Sequence, residues 1–297
     1  MRRLAPSLLE IGRLLGRAVA AWWNDNLLRL GASVAYYTLF AIAPILLIAI
    51  AVAGAVFGDE AVRGEIVGQI DGLVGREGGE AVQALLEGAR SREGNVLAAT
   101  IGTITSVLAA CGVFLELQAA LNTIWRVEPA PAPGVFRSFL LARAQSFGLV
   151  LALGFLLLVS LAVSAALAAL SSWLSGRIPG VPVLVSAFNW LISVAVTAAL
   201  FGLLFKVLPD VRLTWGDVAV GGVVTAVLFT IGKQVIGLYL GQSGASSSYG
   251  AVGSVVVLLL WVYYSSQILL IGAEFTRLYT ERTLGHRPAP LEFGRPA

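Results

Sequence analysis

The lysine at position 233 lies inside a long apolar run, where a charged side chain needs a physical reason. Gly232 precedes it and Gly237 follows one turn later, so a neighbouring helix or a ligand can come close to the helix beside the lysine. A charge inside a membrane-spanning helix is costly and commonly marks a functional site. We predict that Lys233 either attracts an anionic substrate group or snorkels to the membrane surface, and the sequence leaves both interpretations open.

A second set of polar residues lies where apolar stretches begin or end. These residues are Glu116, Gln118, Asn122, Lys206, Asp217 and Glu274. They predict either one buried ion-pair network that locks the helix ends or the inner gate of a transport pathway. We favour the network, because charges at helix ends often act as interfacial anchors.

A polar stripe follows one face of the last apolar stretch. Tyr264, Gln267 and Glu274 lie at helical offsets of 0, +3 and +10 and share this face with Ile271. Such a stripe on a transmembrane helix faces protein or water rather than lipid. We therefore include Tyr264 and Gln267 among the candidates for substrate contact or gating.

The elements that carry these residues are predicted to be transmembrane helices. The chain is 58% hydrophobic and 12% charged, whereas soluble domains carry about 25% charged residues. A bilayer-spanning helix needs roughly 20 apolar residues. Six stretches qualify: 34–57, 96–115, 144–168, 183–205, 218–240 and 251–273. The predicted fold class is all-α, a polytopic membrane protein with a bundle of six transmembrane helices.

The distribution of Lys and Arg predicts the orientation. With the N-terminus in the cytoplasm, the cytoplasmic segments carry 14 of the 20 Lys and Arg residues and the outer segments carry 5. Positive residues accumulate on the cytoplasmic side. Both termini are therefore predicted to be cytoplasmic, which requires an even number of spans.

Three further regions complete the predicted organisation. Residues 1–30 are predicted to form a cytoplasmic segment whose amphipathic helix lies on the inner leaflet. The transmembrane domain follows at 31–280, and residues 281–297 are predicted to form a flexible cytoplasmic tail. The apolar face of the N-terminal helix contains Leu8, Ile11, Leu15, Val19 and Trp22. The outer segment 58–95 is predicted to form two short amphipathic helices, separated by GREGG at 75–79. The hinge candidates are Pro44, Pro209, Gly232, Gly237 and Gly250.

The composition disfavours several function classes. The chain has one cysteine, Cys111, and one histidine, His286, so a His/Cys metal site of the usual kind is not expected within one chain. A serine nucleophile would have no histidine partner inside the membrane. We therefore predict no enzyme activity, no cofactor and no nucleic-acid partner. Membrane lipids are the expected partners, and the oligomeric state, a homo-oligomer included, stays open.

Four blocks of the sequence resemble the signature blocks of a known family. They are ASVAYYTLFAIAPILL (32–47), LQAALNTIWRV (117–127), LPDVRLTWGDVAVGG (208–222) and SYGAVGSVVVLLLWVYYSSQILLIGAEF (248–275). In order and spacing they are similar to the YihY/BrkB family of bacterial inner-membrane proteins. The resemblance implies six helices in the cytoplasmic membrane and adds Tyr249 to the candidate residues. It also brings a historical ribonuclease BN label, which a chain with one tail histidine gives no chemical reason to accept.

Three functions are compatible with these observations. The first is a transporter of an anionic amphipathic molecule such as a lipid or glycolipid. The second is a cation/proton antiporter in which Glu116 and Glu274 exchange protons. The third is a non-transporting scaffold or envelope-assembly factor. Members of the family that the chain resembles have also been called virulence or serum-resistance factors.

Overall fold

The chain folds into α-helices throughout the part that the computed structural model describes, which is residues 8–58, 64, 68, 76–90, 112–127, 181–242, 253–285 and 288. No β-strand occurs among these residues. The helices are α1 (Leu8–Asn24), α2 (Leu27–Phe57), α3 (Arg76–Arg90), α4 (112–125), α5 (Val181–Val207), α6 (Trp215–Gln242) and α7 (Gly253–Leu284). The predicted all-α class is confirmed.

Three of these helices are long and apolar enough to cross a membrane. Their apolar windows are Trp190–Val207 in α5, Trp215–Tyr239 in α6 and Gly253–Arg282 in α7. A shorter apolar stretch, Leu27–Ile42, lies in α2. The predicted span 144–168 and most of the span 96–115 lie outside the described residues, so the number six stays a prediction.

Two helices continue past the ends predicted from hydropathy. Helix α7 runs to Leu284 rather than 273, and α4 runs to residue 125 rather than 115. Hydropathy ends at the first charged residues, but a helix does not have to end there. In α7 the guanidinium of Arg277 pairs with carboxylates three residues before it and four residues after it, and these spacings support helical structure.

The connection between α1 and α2 is a two-residue turn. Asn26 adopts a left-handed conformation with φ 55° and ψ 33°, which asparagine tolerates better than most residues. The turn therefore separates α1 from α2 without a glycine, and α2 begins at Leu27, earlier than the predicted start at 34.

The outer segment contains helix α3. Val82 and Leu86 are buried, as the predicted apolar face requires, and α3 packs against α2. The helix begins at Arg76, so residues 76–79 of the GREGG run belong to it. The separation of two helices at this run stays a prediction, because residues 69–75 lie outside the described residues. Gly79 is buried, and a small residue at a packed helix surface offsets part of its poor helix propensity by permitting close approach. The first predicted helix of this segment lies largely outside the described residues.

The chain divides into two compact units. The first contains Met1–Ala18, Ile124–Thr230 and Gly272–Ala297, and the second contains Val19–Thr123 and Ile231–Ile271. In the first unit, a core of Leu14 and Ala18 from α1 and Phe275 from α7 is buried, with Val220 and Val224 of α6 packed against it. Helix α1 is thus held by protein contacts at its N-terminal half.

The buried face of α1 differs in part from the predicted one. Leu14 and Ala18 are the buried residues, and Val19 is 46% exposed although it was assigned to the apolar face. Ile11 and Leu15 are half-buried, as expected for that face. The helix is amphipathic, and α7 covers part of its apolar side. Its position on the inner leaflet stays a prediction.

Candidate functional site

Helices α6 and α7 cross in the first unit through two glycines and two threonines. A methyl group on Gly221 of α6 would overlap the side chain of Thr276 of α7. The same addition at Gly272 of α7 would overlap the side chain of Thr225 of α6. Each threonine therefore packs on the glycine of the opposite helix, and the two contacts form an interlocked pair.

The threonine hydroxyls in this crossing are satisfied within their own helices. Thr225 Oγ1 donates to the carbonyl oxygen of Gly221 at 2.7 Å, and Thr276 Oγ1 donates to that of Gly272 at 2.7 Å. Both threonines are fully buried. Their polar atoms are thus hydrogen-bonded, and their methyl groups and the glycines permit the close approach that small residues give to membrane helices.

A second side of α6, next to the first, lies close to α5. A methyl group on Gly222 would lie 2.6 Å from the carbonyl oxygen of Ala198 and 3.0 Å from the backbone nitrogen of Gly202. The adjacent residues Gly221 and Gly222 therefore serve two different neighbours. In the first unit α6 is fixed between α5 and α7.

A buried ion pair lies on α7 beside this crossing. Glu274 is 0% exposed and Arg277 is 4% exposed. Arg277 donates to Glu274 Oε2 from Nη2 at 2.7 Å and from Nε at 3.1 Å, and its Nη1 donates to Glu281 at 3.2 Å. Both bonds to Glu274 end on the same oxygen, Oε2, and they offset part of the cost of burying two charges. The favoured prediction was one ion-pair network that joins Glu274 to the other polar residues at the helix ends. Arg277 was not among those candidates, although the Glu-Arg-Glu spacing of three and four residues could have revealed it.

Asp217 has a structural role at the start of α6. Its Oδ2 accepts hydrogen bonds from the backbone nitrogen and the hydroxyl of Thr214, at 2.9 Å and 2.6 Å. A carboxylate three residues after a capping threonine is the pattern of a capping box. Its negative charge also interacts favourably with the positive N-terminal end of the helix dipole. Asp217 thereby fixes where α6 begins.

Lys206 stabilises the same connection from the end of α5. Its Nζ donates to the carbonyl oxygen of Leu213 at 2.7 Å and lies 5.3 Å from the centre of the Trp215 ring. These contacts tie the end of α5 to the loop that follows it and to the first residue of α6. Pro209, a predicted hinge, is buried in this loop.

In the second unit, Gln267 of α7 holds the end of α1 and the beginning of α2. Trp22 Nε1 donates to Gln267 Oε1 at 2.8 Å, and Gln267 Nε2 donates to the carbonyl oxygen of Leu28 at 3.4 Å. A methyl group on Gly31 would overlap the Gln267 amide. The polar stripe predicted on α7 thus contacts protein at Gln267, and its partner is Trp22, which was assigned to the apolar face of the N-terminal helix.

Lys233 lies on α6 at the border between its buried and exposed faces. Gly232 and Ile236 are buried, Ile231 is 58% exposed, and Lys233 itself is half-buried. It makes no hydrogen bond or ion pair with any residue in the part of the chain that the structure describes. A methyl group on Gly232 would lie 3.2 Å from the hydroxyl oxygen of Tyr264, so the phenol approaches α6 beside the lysine.

The remaining candidates are distributed as follows. Glu116, Gln118 and Asn122 are half-buried on α4, and the side chain of Tyr37 from α2 packs over Gly112, one turn before Glu116. Helix α2 continues through Pro44, and Gly237 is exposed with no atom near its open side. Tyr249 and Gly250 lie outside the described residues.

The architecture defines a class of protein before any comparison. Long apolar helices, small-residue crossings and exposed apolar faces such as Ile231, Val235 and Leu238 are the features of a helical integral membrane protein.

The chain belongs to the family described as Virulence factor BrkB, whose model matches residues 18–295. The family assignment made from the four sequence blocks is therefore confirmed. The chain is 30% identical to a "UPF0761 membrane protein" of Rhodospirillum centenum over 96% of this chain and 61% of that protein. It is 31% identical to a protein of the same name in Pseudomonas paraeruginosa, over 95% of this chain and 66% of that protein. The chain thus spans less than two thirds of the length of these relatives. No solved structure matches it.

Proposed function

We propose that this membrane protein transports an anionic amphipathic molecule, such as a lipid or glycolipid, across the bacterial cytoplasmic membrane. The observation that carries the proposal is Lys233, a half-buried cation within the apolar window of α6. It has no carboxylate partner among the described residues. An uncompensated charge at this position is expensive unless an anion or water reaches it.

The surroundings of Lys233 support an anionic headgroup as its partner. The ammonium group supplies three donors, and the oxygens of a phosphate or carboxylate accept such bonds. Val235 and Leu238 are exposed further round α6 and present an apolar surface that suits lipid acyl chains. Helix α6 therefore carries both a cation and an apolar surface.

The proposal includes a location and an orientation. Both termini would face the cytoplasm of a six-span protein in the inner membrane, as the distribution of Lys and Arg favours. In that orientation Lys233 lies in the outer half of the membrane, since α6 begins at the cytoplasmic side. The protein would act without enzymatic chemistry.

The antiporter alternative receives less support. It requires Glu274 to exchange protons with water, but this carboxylate is fully buried and is held by Arg277 at 2.7 Å. Two nitrogens of Arg277 bond to one oxygen of this carboxylate, and the group is shielded from solvent. The pair of Glu274 and Arg277 lies within α7, where its spacing supports helical structure.

Transport can be tested with the purified full chain in liposomes that contain a fluorescent phosphatidylglycerol. A membrane-impermeant reductant then reports how fast the label reaches the outer leaflet. We expect the protein to accelerate this exchange over protein-free liposomes, Lys233→Gln to lower the rate by roughly tenfold or more, and Lys233→Arg to retain most of it. Arg13→Gln is the matched control, because Arg13 is an exposed cation on α1. If the wild-type protein leaves the exchange rate at the protein-free level, the proposal is wrong.

A further inference from the structure

Helix α2 exposes three aromatic rings at one level of its apolar stretch. Tyr36 is 58% exposed, Tyr37 is 39% exposed and Phe40 is 56% exposed. Their rings lie edge to face, with centres 5.7 Å apart between Tyr36 and Tyr37 and 5.0 Å apart between Tyr36 and Phe40. All three belong to the apolar stretch Leu27–Ile42, so the patch is at a depth that lipid can reach.

A carboxylate accompanies this aromatic patch on the neighbouring helix. Gly112 of α4 lies under Tyr37, since a methyl group there would be 2.9 Å from Cδ1 of the tyrosine ring. Glu116 follows one turn later and therefore lies on the side of α4 that faces α2. It is half-buried and makes no hydrogen bond or ion pair with any described residue. The patch thus combines π faces with an uncompensated negative charge.

We infer that Tyr36, Tyr37, Phe40 and Glu116 form a binding site for the ammonium group of an aminophospholipid such as phosphatidylethanolamine. Aromatic faces attract ammonium groups through the ring quadrupole, and a carboxylate beside them adds an opposite charge. An alkylammonium headgroup matches both features, whereas an anionic headgroup would be repelled by Glu116. Leu115, which is 46% exposed beside Glu116, extends the site with an apolar surface for the acyl chains.

The occupant is a lipid rather than a soluble amine because the patch lies on an apolar helix of a membrane protein. The site is independent of Lys233 and does not require transport. It binds the ammonium group of a zwitterionic lipid through the negative charge of Glu116, whereas the proposed transport site binds an anionic group through a positive charge.

The test uses the full chain reconstituted with equal amounts of phosphatidylglycerol, phosphatidylethanolamine and an N-acetylated phosphatidylethanolamine, which lacks the ammonium charge. The lipids that stay bound after a detergent wash are identified by mass spectrometry. We expect phosphatidylethanolamine to be enriched about three- to tenfold over both other lipids, as a partly exposed cation–π contact implies. Phosphatidylcholine, tested separately, should also be enriched, since its methylated ammonium retains the charge.

Three variants locate the site. Glu116→Gln and the double variant Tyr36→Leu, Phe40→Leu should each remove the enrichment. Tyr239→Leu should retain it, because Tyr239 is an aromatic residue of similar exposure, 59%, on α6. Circular dichroism of each variant in detergent confirms its helical structure before the lipids are compared.

Two results would overturn the inference. The first is equal retention of phosphatidylethanolamine and its N-acetylated form by the wild-type protein, which would show that the rings act only as an interfacial aromatic belt. The second is an enrichment that survives in both Glu116→Gln and the aromatic double variant, which would place the lipid site elsewhere.

Discussion

Thr276 of α7 lies directly against the backbone of Gly221 on α6, with no room for even a methyl group between them. The reciprocal contact of Thr225 with Gly272 shows that the crossing has twofold character, with a Gly-x-x-x-Thr segment on each helix. Close backbone approach without a polar cost is possible because each threonine hydroxyl bonds to the glycine carbonyl of its own helix. Association of membrane helices depends on this kind of packing, since lipid supplies little hydrophobic driving force between helices.

Replacing the glycine in this contact should destabilise the helix pair. Gly221→Ala forces a methyl group into the Thr276 side chain, and overpacking of this kind costs about 1–3 kcal/mol. The measurement is the unfolding midpoint in a denaturing-detergent titration. Gly237→Ala is the control, because that position is exposed and has open space, and alanine should be neutral or slightly stabilising there.

A compensating substitution separates steric overlap from a general effect of alanine. Thr276→Ala removes the overlapping atoms, so the double variant Gly221→Ala, Thr276→Ala should be more stable than Gly221→Ala alone. Simple additivity of the two single changes would argue against the interlocked contact.

The fold could be predicted from the sequence where apolar length decides it. Helices α5, α6 and α7 lie where the hydropathy placed them, because a bilayer leaves the backbone few alternatives to a helix. The end of α7 could not be predicted in this way, since its last turns are held by the Arg277 ion pairs rather than by apolar residues.

The candidate site was predictable to a smaller extent. Lys233 could be singled out because one charge stands out in an apolar run, and Gln267 because it continues a polar stripe. Their partners depend on the register between helices, which hydropathy does not contain. The contacts of Gln267 with Trp22 and Gly31 therefore became visible only in the structure.

The second prediction concerns the buried pair of Glu274 and Arg277. Arg277→Met should strongly destabilise the protein, by about 3–5 kcal/mol, because it leaves the fully buried carboxylate of Glu274 without this partner. Replacing both residues with methionine should be milder, since the remaining site is apolar. Detergent-induced unfolding of the two variants measures the difference. A double variant at least as unstable as Arg277→Met would contradict this explanation.

The third prediction concerns the indole of Trp22. Trp22→Phe removes the donor to Gln267 Oε1 and should cost about 1–3 kcal/mol, because the buried amide oxygen loses a hydrogen bond. Trp23→Phe is the matched control, since Trp23 is the next residue and is 66% exposed. Hydrogen exchange of the backbone around residues 22–28 reports the effect. We expect faster exchange in Trp22→Phe and no change in Trp23→Phe. Equal exchange in the two variants would show that the hydrogen bond does not hold this turn.

The last prediction concerns the attachment of α1. Two different contacts hold this helix in the first unit. Glu10 forms an ion pair with Arg282 at partly exposed positions, and Leu14 is buried against the core that contains Phe275. An exposed ion pair contributes about 0–1 kcal/mol, whereas truncation of a buried leucine costs about 2–5 kcal/mol. Leu14→Ala should therefore release α1 and expose it to limited proteolysis at its arginines, while Glu10→Gln should leave cleavage close to the wild-type rate. High salt should have little effect on cleavage of the wild-type protein, since it screens only the ion pair. If Glu10→Gln or high salt opens α1 as readily as Leu14→Ala does, electrostatic attraction rather than apolar packing holds the helix.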